Sequence, residues 1–138
     1  MLNKIEHLGI AVKSIEEASK MYEALLGKSS YKTEVVESEG VSTMFFQIGE
    51  SKIELLEATN PERPIAKFIE KKGEGIHHIA YDVTDIEKEL ARLKDEGFQL
   101  IHEVPKGGAD NKRIAFLHPK STGGVLVELC EEKAQKKA

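Results

Sequence analysis

The second half of this 138-residue chain restates the first. Placing His7 over His78, a shift of 71 positions, lays HLGIAV over HIAYDV, Ile15 over Ile86 and Glu16 over Glu87. Near the end of each half IELLE (53–57) lies over VELCE (127–131), with Glu54 over Glu128 at a shift of 74. The second half therefore carries about three more loop residues. Self-similarity of this kind marks a fold built from two copies of one unit.

Each half reads β-α-β-β-β. KIEHLGIAV (4–12) alternates as a strand does, and then the period changes to a helical one. Ser14, with Glu17 three residues on, is a capping-box start; Ile15, Ala18, Met21, Tyr22 and Leu25 recur at helical spacing, and Gly27 is the stop. Strands are expected at 31–37, 41–48 and 52–58. In the second half IHHIAYDV is a strand, Thr84 caps a helix over DIEKELARLKDEG, Gly97 ends it, and strands are expected at 98–103, 112–118 and 124–131. PKGGADN (105–111) reads as a loop. The expected layout is a single domain over 1–138, with module one at about 3–58, a linker at about 59–75 in which IAKFIEKK forms a short helix, and module two at about 76–131.

Bulk properties exclude several classes. A net charge of −4, with no basic tract of five or six residues, gives no electrostatic footprint for nucleic acid. The terminal KAQKKA reads as a solvated tail. The one cysteine, Cys130, permits no intrachain disulfide and reads as an inert strand residue. No apolar run approaches the roughly 20 residues of a membrane span, and no signal pattern opens the chain, so a cytoplasmic protein with no membrane partner is expected.

Side-chain chemistry sharpens the repeat. Neighbours on a strand face opposite ways, so His77 and His78 cannot do the same work. His7, Gly9 and Ala11 share one face, matched by His78, Ala80 and Asp82. Leu8, Ile10 and Val12 line the other, as do Ile79, Tyr81 and Val83, and that is a packing face. Four residues then occupy equivalent places: His7, Glu54, His78 and Glu128. Imidazole nitrogen and carboxylate oxygen together suit Co²⁺, Ni²⁺, Zn²⁺ or Mn²⁺, and two of each leave open positions in an octahedral shell. Against this, a lone strand histidine is usually not a ligand; the duplication raises the odds. His77 reads as a packing residue, His102 as an exposed edge residue, His118 as a turn residue before Pro119, and Tyr22 and Phe45 as core.

IEHLGIAV, GEGIHHIAYDV and above all FLHPKSTGGVLVEL (116–129) resemble the vicinal oxygen chelate superfamily and, within it, the methylmalonyl-CoA epimerase family. The likeness runs over about residues 3–131. It implies an α+β fold of two tandem βαβββ modules forming a curled mixed sheet around a metal site. It places metal ligands at His7, His78 and Glu128, with Glu54 at a fourth place where bacterial relatives often carry Gln. The expected ion is Co²⁺ first, with Ni²⁺, Mn²⁺ or Zn²⁺ as alternatives. The implied reaction interconverts (2R)- and (2S)-methylmalonyl-CoA by removal of the C2 proton through an enolate. Glu128 is the candidate for one acid–base role and Glu54, its symmetry mate, for the other. Some relatives carry an acid where this chain has Thr43, which is not ionisable near neutral pH. Lys106, Lys112, Arg113 and Lys120 are candidates for CoA phosphates. The family also implies a homodimer. The competing readings are a glyoxalase I-like lactoylglutathione lyase, and a small-molecule-binding protein of the same fold without enzymatic activity. A ring-cleaving dioxygenase fits less well.

Overall fold

The computed structural model describes residues 1–133; the tail expected over KAQKKA lies outside them beyond Lys133. Strand β1 (Leu2–Ala11) is followed by α1 (Ile15–Leu26), β2 (Lys32–Val36), β3 (Val41–Ile48) and β4 (Ser51–Ala58). Helix α2 (Pro64–Lys72) precedes β5 (Gly75–Val83), α3 (Ile86–Asp95), β6 (Lys106–Gly108), β7 (Lys112–Leu117) and β8 (Val127–Glu132). Contacts divide the chain into two compact units, His7–His77 and a second that joins Met1–Glu6 to the chain from His78 on. They are called the first and second modules below.

In the first module the strand order is β2-β3-β4-β1. β1 and β4 run parallel, and the other neighbours are antiparallel. A parallel pair needs a crossover, which the α1-β2-β3 segment provides. Ser14 caps α1 as expected, accepting a 3.2 Å hydrogen bond from the Glu17 amide, and Gly27 closes it in the left-handed region at φ 70°. Ile15, Ala18, Tyr22 and Leu26 lie against Val12, Phe46 and Leu55. The expected apolar row is corrected at two places: Met21 and Leu25 are exposed at 52% and 69%. The inward stripe runs 15, 18, 22, 26, which holds the 3.6-residue period better than 15, 18, 22, 25. Phe45 is buried, and Tyr22 is half-buried beside Phe46.

The stretch between the repeats is ordered. Pro64 starts α2, a position that suits proline because its missing N–H would be unpaired there anyway. Ile65, Phe68 and Ile69 pack on Ala11, Val41 and Leu56. Arg63, just before the helix, spans the short turn after β2 and donates to the carbonyls of Glu37 and Ser38, both at 3.2 Å. Gly40 is left-handed at φ 65°, which favours glycine, and the flexible Arg63 side chain lies where a Cβ would sit.

In the second module the order is β5-β8-β7-β6, with β5 parallel to β8. Asp85, not Thr84, caps α3, accepting from the Lys88 amide at 3.1 Å. The Thr84 hydroxyl instead accepts from the Asn3 side-chain Nδ2 at 3.1 Å. Leu90, Leu93 and Ile86 pack on Val83, Ala115, Leu117 and Leu129. The strand expected at 98–103 is absent: one isolated bridge joins Leu100 to Leu117. The place beside β7 is taken by β6, from the stretch read as a loop. The amides of Ile101 and His102 both turn to the Phe116 carbonyl rather than continuing a ladder. The last strand begins at Val127 rather than 124, because Gly123 and Gly124 hold positive φ of 68° and 90°.

Candidate metal and substrate site

Register places the two His–Glu pairs. Gly9 on β1 is opposite Glu54 on β4, and His7 stands two residues back on the same face. Ala80 on β5 is opposite Glu128 on β8, and His78 stands two residues back in the same way. The small residue leaves room for the carboxylate to lean toward the ring. In the first module His7 Nε2 is 3.1 Å from Glu54 Oε1; in the second His78 Nε2 is 3.4 Å from Glu128 Oε1. All four side chains are buried.

These separations suit ligation. Two donors bonded at about 2.1 Å to one ion, at roughly a right angle, lie about 3.0 Å apart. Nitrogen and oxygen donors together match a borderline divalent ion. Phe45 is opposite Glu54, and Phe116 is opposite Glu128. The Phe116 ring stands edge-on to His78 at 5.6 Å. An aromatic wall beside each pair restricts its rotamers and lowers the local dielectric.

The surroundings differ in one respect that the sequence reading missed. The Cys130 thiol, read there as inert, is buried and donates to Glu128 Oε1 at 3.5 Å. The signal was its place two residues after Glu128 on the same face. Leu56 holds the corresponding position in the first module.

The four candidate CoA cations are separated by register. Lys106 faces with Ile114 and Lys112, on the side of Glu128. Lys112 is buried, with its ammonium 3.1 Å from Glu132 and 3.8 Å from Glu6. Arg113 faces the other way, donating to Glu131 at 2.9 Å and pairing with Glu87. Those hydrogen bonds hold the Glu87 carboxyl below the ordinary carboxylate range. Lys120 is exposed in a short 3₁₀ turn where the His118 ring Nδ1 accepts from its amide, so His118 does shape the turn. His77 packs edge-on to Phe68 at 4.9 Å. His102 is half-buried rather than on an exposed edge, because its Nδ1 accepts from the Phe116 amide at 3.1 Å.

A second repeated device also escaped the sequence reading. Glu57 Oε1 accepts from the Ile15 amide at 2.7 Å, and Glu131 Oε2 from the Ile86 amide at 2.9 Å. In each module the last glutamate of IELLE or VELCE satisfies the first turn of the helix. The duplicated fifth residue of that motif was its signal.

Residues 6–116 match the Glyoxalase/Bleomycin resistance protein/Dioxygenase superfamily. The chain belongs to this superfamily and has its α+β, vicinal oxygen chelate fold. Within it, the likeness to methylmalonyl-CoA epimerases holds in sequence and in structure. The chain is 40% identical to the ethylmalonyl-CoA/methylmalonyl-CoA epimerase of Cereibacter sphaeroides, over 94% of this chain and 98% of that one. It is 46% identical to the uncharacterized protein YqjC of Bacillus subtilis, over 96% and 94%. A variant of the Streptomyces coelicolor methylmalonyl-CoA epimerase in complex with 2-nitronate-propionyl-CoA superposes with a TM-score of 0.93 at 35% identity, covering 100% of both chains.

Proposed function

We propose that this chain interconverts (2R)- and (2S)-methylmalonyl-CoA by proton transfer at C2. The observation that carries the reading is the buried His–Glu pair at the same register place in each module. The epimerase relatives support the substrate class. The C2–H bond lies between a thioester carbonyl and a carboxylate, so breaking it yields an enolate. His7, Glu54, His78 and Glu128 would hold one divalent ion, Co²⁺ first and Ni²⁺, Mn²⁺ or Zn²⁺ as alternatives. When bound, such an ion supplies a Lewis acid for charge developing on oxygen.

The chain's own residues then have distinct tasks. The two histidines and Glu54 orient the site, and the flanking phenylalanines exclude water from it. Glu128 takes or returns the proton on one face of C2, with the Cys130 thiol holding one of its oxygens. Glu54 is its formal mate, and Glu54→Gln separates a ligand from a base. Lys106, Lys112, Arg113 and Lys120 are the cations that would meet CoA phosphates, Lys112 and Arg113 with carboxylates beside them. A cytoplasmic homodimer belongs to the same reading. Among the described residues, no helix is long and apolar enough to cross a membrane.

The test is deuterium incorporation at C2 of methylmalonyl-CoA in D₂O, followed by NMR with metal-loaded and chelated protein. Exchange by the loaded protein alone is expected. Absence of exchange with every divalent metal, together with turnover of a glutathione hemithioacetal, would replace this reading by the lactoylglutathione lyase one. Ethylmalonyl-CoA belongs in the same assay, since the Cereibacter sphaeroides relative is named for both esters.

A further inference from the structure

An epimerase must deliver a proton to the face of carbon opposite the one it left, so it needs a second acid–base group beside the first. We propose that Glu34 is that group; the inference rests on the epimerase reading. Register within the first module gives the argument. His7, Gly9 and Ala11 on β1 share a face with Lys52, Glu54 and Leu56 on β4, then with Val41, Thr43, Phe45 and Gln47 on β3, and with Lys32, Glu34 and Val36 on β2. Among the described residues of that face, Glu34 is the carboxylate besides Glu54. Glu54 lies 3.1 Å from His7, and with Glu34 as the second acid–base group its task is that of a ligand rather than the mate of Glu128. Glu34 stands outside that pair.

Strand β2 is two strands from β4, so the Lys32 and Glu54 backbones in their shared row are about 10 Å apart. Phe45 of β3, 1% exposed, stands between them in that row. Thr43, directly opposite Glu34, offers no competing group. It is 1% exposed, and its hydroxyl donates to the Glu34 carbonyl at 2.8 Å. The methyl of Thr43 and the Val41–Leu56–Ile65 cluster under α2 make the neighbouring surface apolar. Lys32 Nζ is 3.3 Å from Glu34 Oε1, and both side chains are half-buried. In the proton transfer the C2–H bond breaks, the proton goes to one carboxylate, the electron pair enters the enolate, and the other carboxylic acid forms the new C2–H bond.

The test separates exchange from epimerisation. Each pure epimer is incubated in D₂O with metal-loaded wild type, Glu34→Gln and Glu34→Asp, while metal content and circular dichroism are recorded. Glu34→Gln is expected to lower epimerisation by more than about 100-fold. It should still wash deuterium into one epimer, with retention, within a few-fold of the wild-type rate. Metal content should be unchanged. Glu34→Asp, which keeps the charge one methylene short, should fall between the two and keeps the test valid if Glu34→Gln does not fold. Epimerisation by Glu34→Gln within threefold of wild type would overturn the inference alone. So would equal loss of exchange in both epimers, the mark of a merely structural residue. No exchange by wild type with any divalent metal would overturn the epimerase reading and this inference with it.

Discussion

The two His–Glu pairs share one register and differ in what surrounds them. Both arise from a parallel strand pair in which a small residue faces the glutamate and the histidine precedes it by two. Beside Glu54 the next residue on the face is Leu56, buried under α2. Beside Glu128 it is Cys130, whose thiol reaches the carboxylate. The helices diverge as well. α3 buries Ile86, Glu89, Leu90 and Leu93, whereas α1 buries no residue fully. Backbone pairing thus holds the His–Glu geometry alike in both copies, while the side chains around it differ.

If the pairs are equivalent as ligands, His7→Ala and His78→Ala should act alike. Each is expected to remove bound metal and lower C2 exchange by more than about 100-fold. Metal content by elemental analysis checks this, and one variant retaining its ion would break the equivalence. If the pairs differ as acid–base groups, Glu128→Gln should lower exchange by about 100-fold or more, while Glu54→Gln keeps its metal and stays within about tenfold. Equal effects would make both carboxylates bases or both ligands.

The neighbours should separate further. Cys130→Ala is expected to weaken metal affinity by about tenfold with a small change in stability. Leu56→Ala should leave affinity unchanged and destabilise by about 3 kcal/mol. Competition with a chelating dye and urea unfolding measure the two. Smallest are the helix caps. Glu57→Ala and Glu131→Ala should each cost about 1 kcal/mol, the second somewhat more because Glu131 also accepts from Arg113 at 2.9 Å. Identical unfolding midpoints would mean that the Arg113 contact contributes nothing.

Much of this architecture was legible because duplication doubles a weak signal. His7 alone on a strand says little; His7 over His78 with Glu54 over Glu128 marks four paired positions. Local chemistry was read where it is local, as at Ser14 and Gly27. It failed where a neighbour distant in sequence decided the outcome. FQLIHE alternates like a strand, yet β6 holds the edge of β7 and leaves it one bridge. Thr84 looked like a cap until Asn3, far back in the chain, engaged it. Arg113 and Lys112 are adjacent and alike in charge, and only strand register sends one to Glu131 and the other to Glu132.

The amino-acid sequence by itself determined the two modules, the helices and the paired His and Glu positions, because period and repeat are properties of the chain. Tertiary structure alone decided that Glu34 faces with Glu54, that Cys130 touches Glu128, and that Glu57 and Glu131 cap the helices before them. Those relations depend on which residue stands opposite which across strands, and cross-strand register is set by packing between segments far apart in the chain.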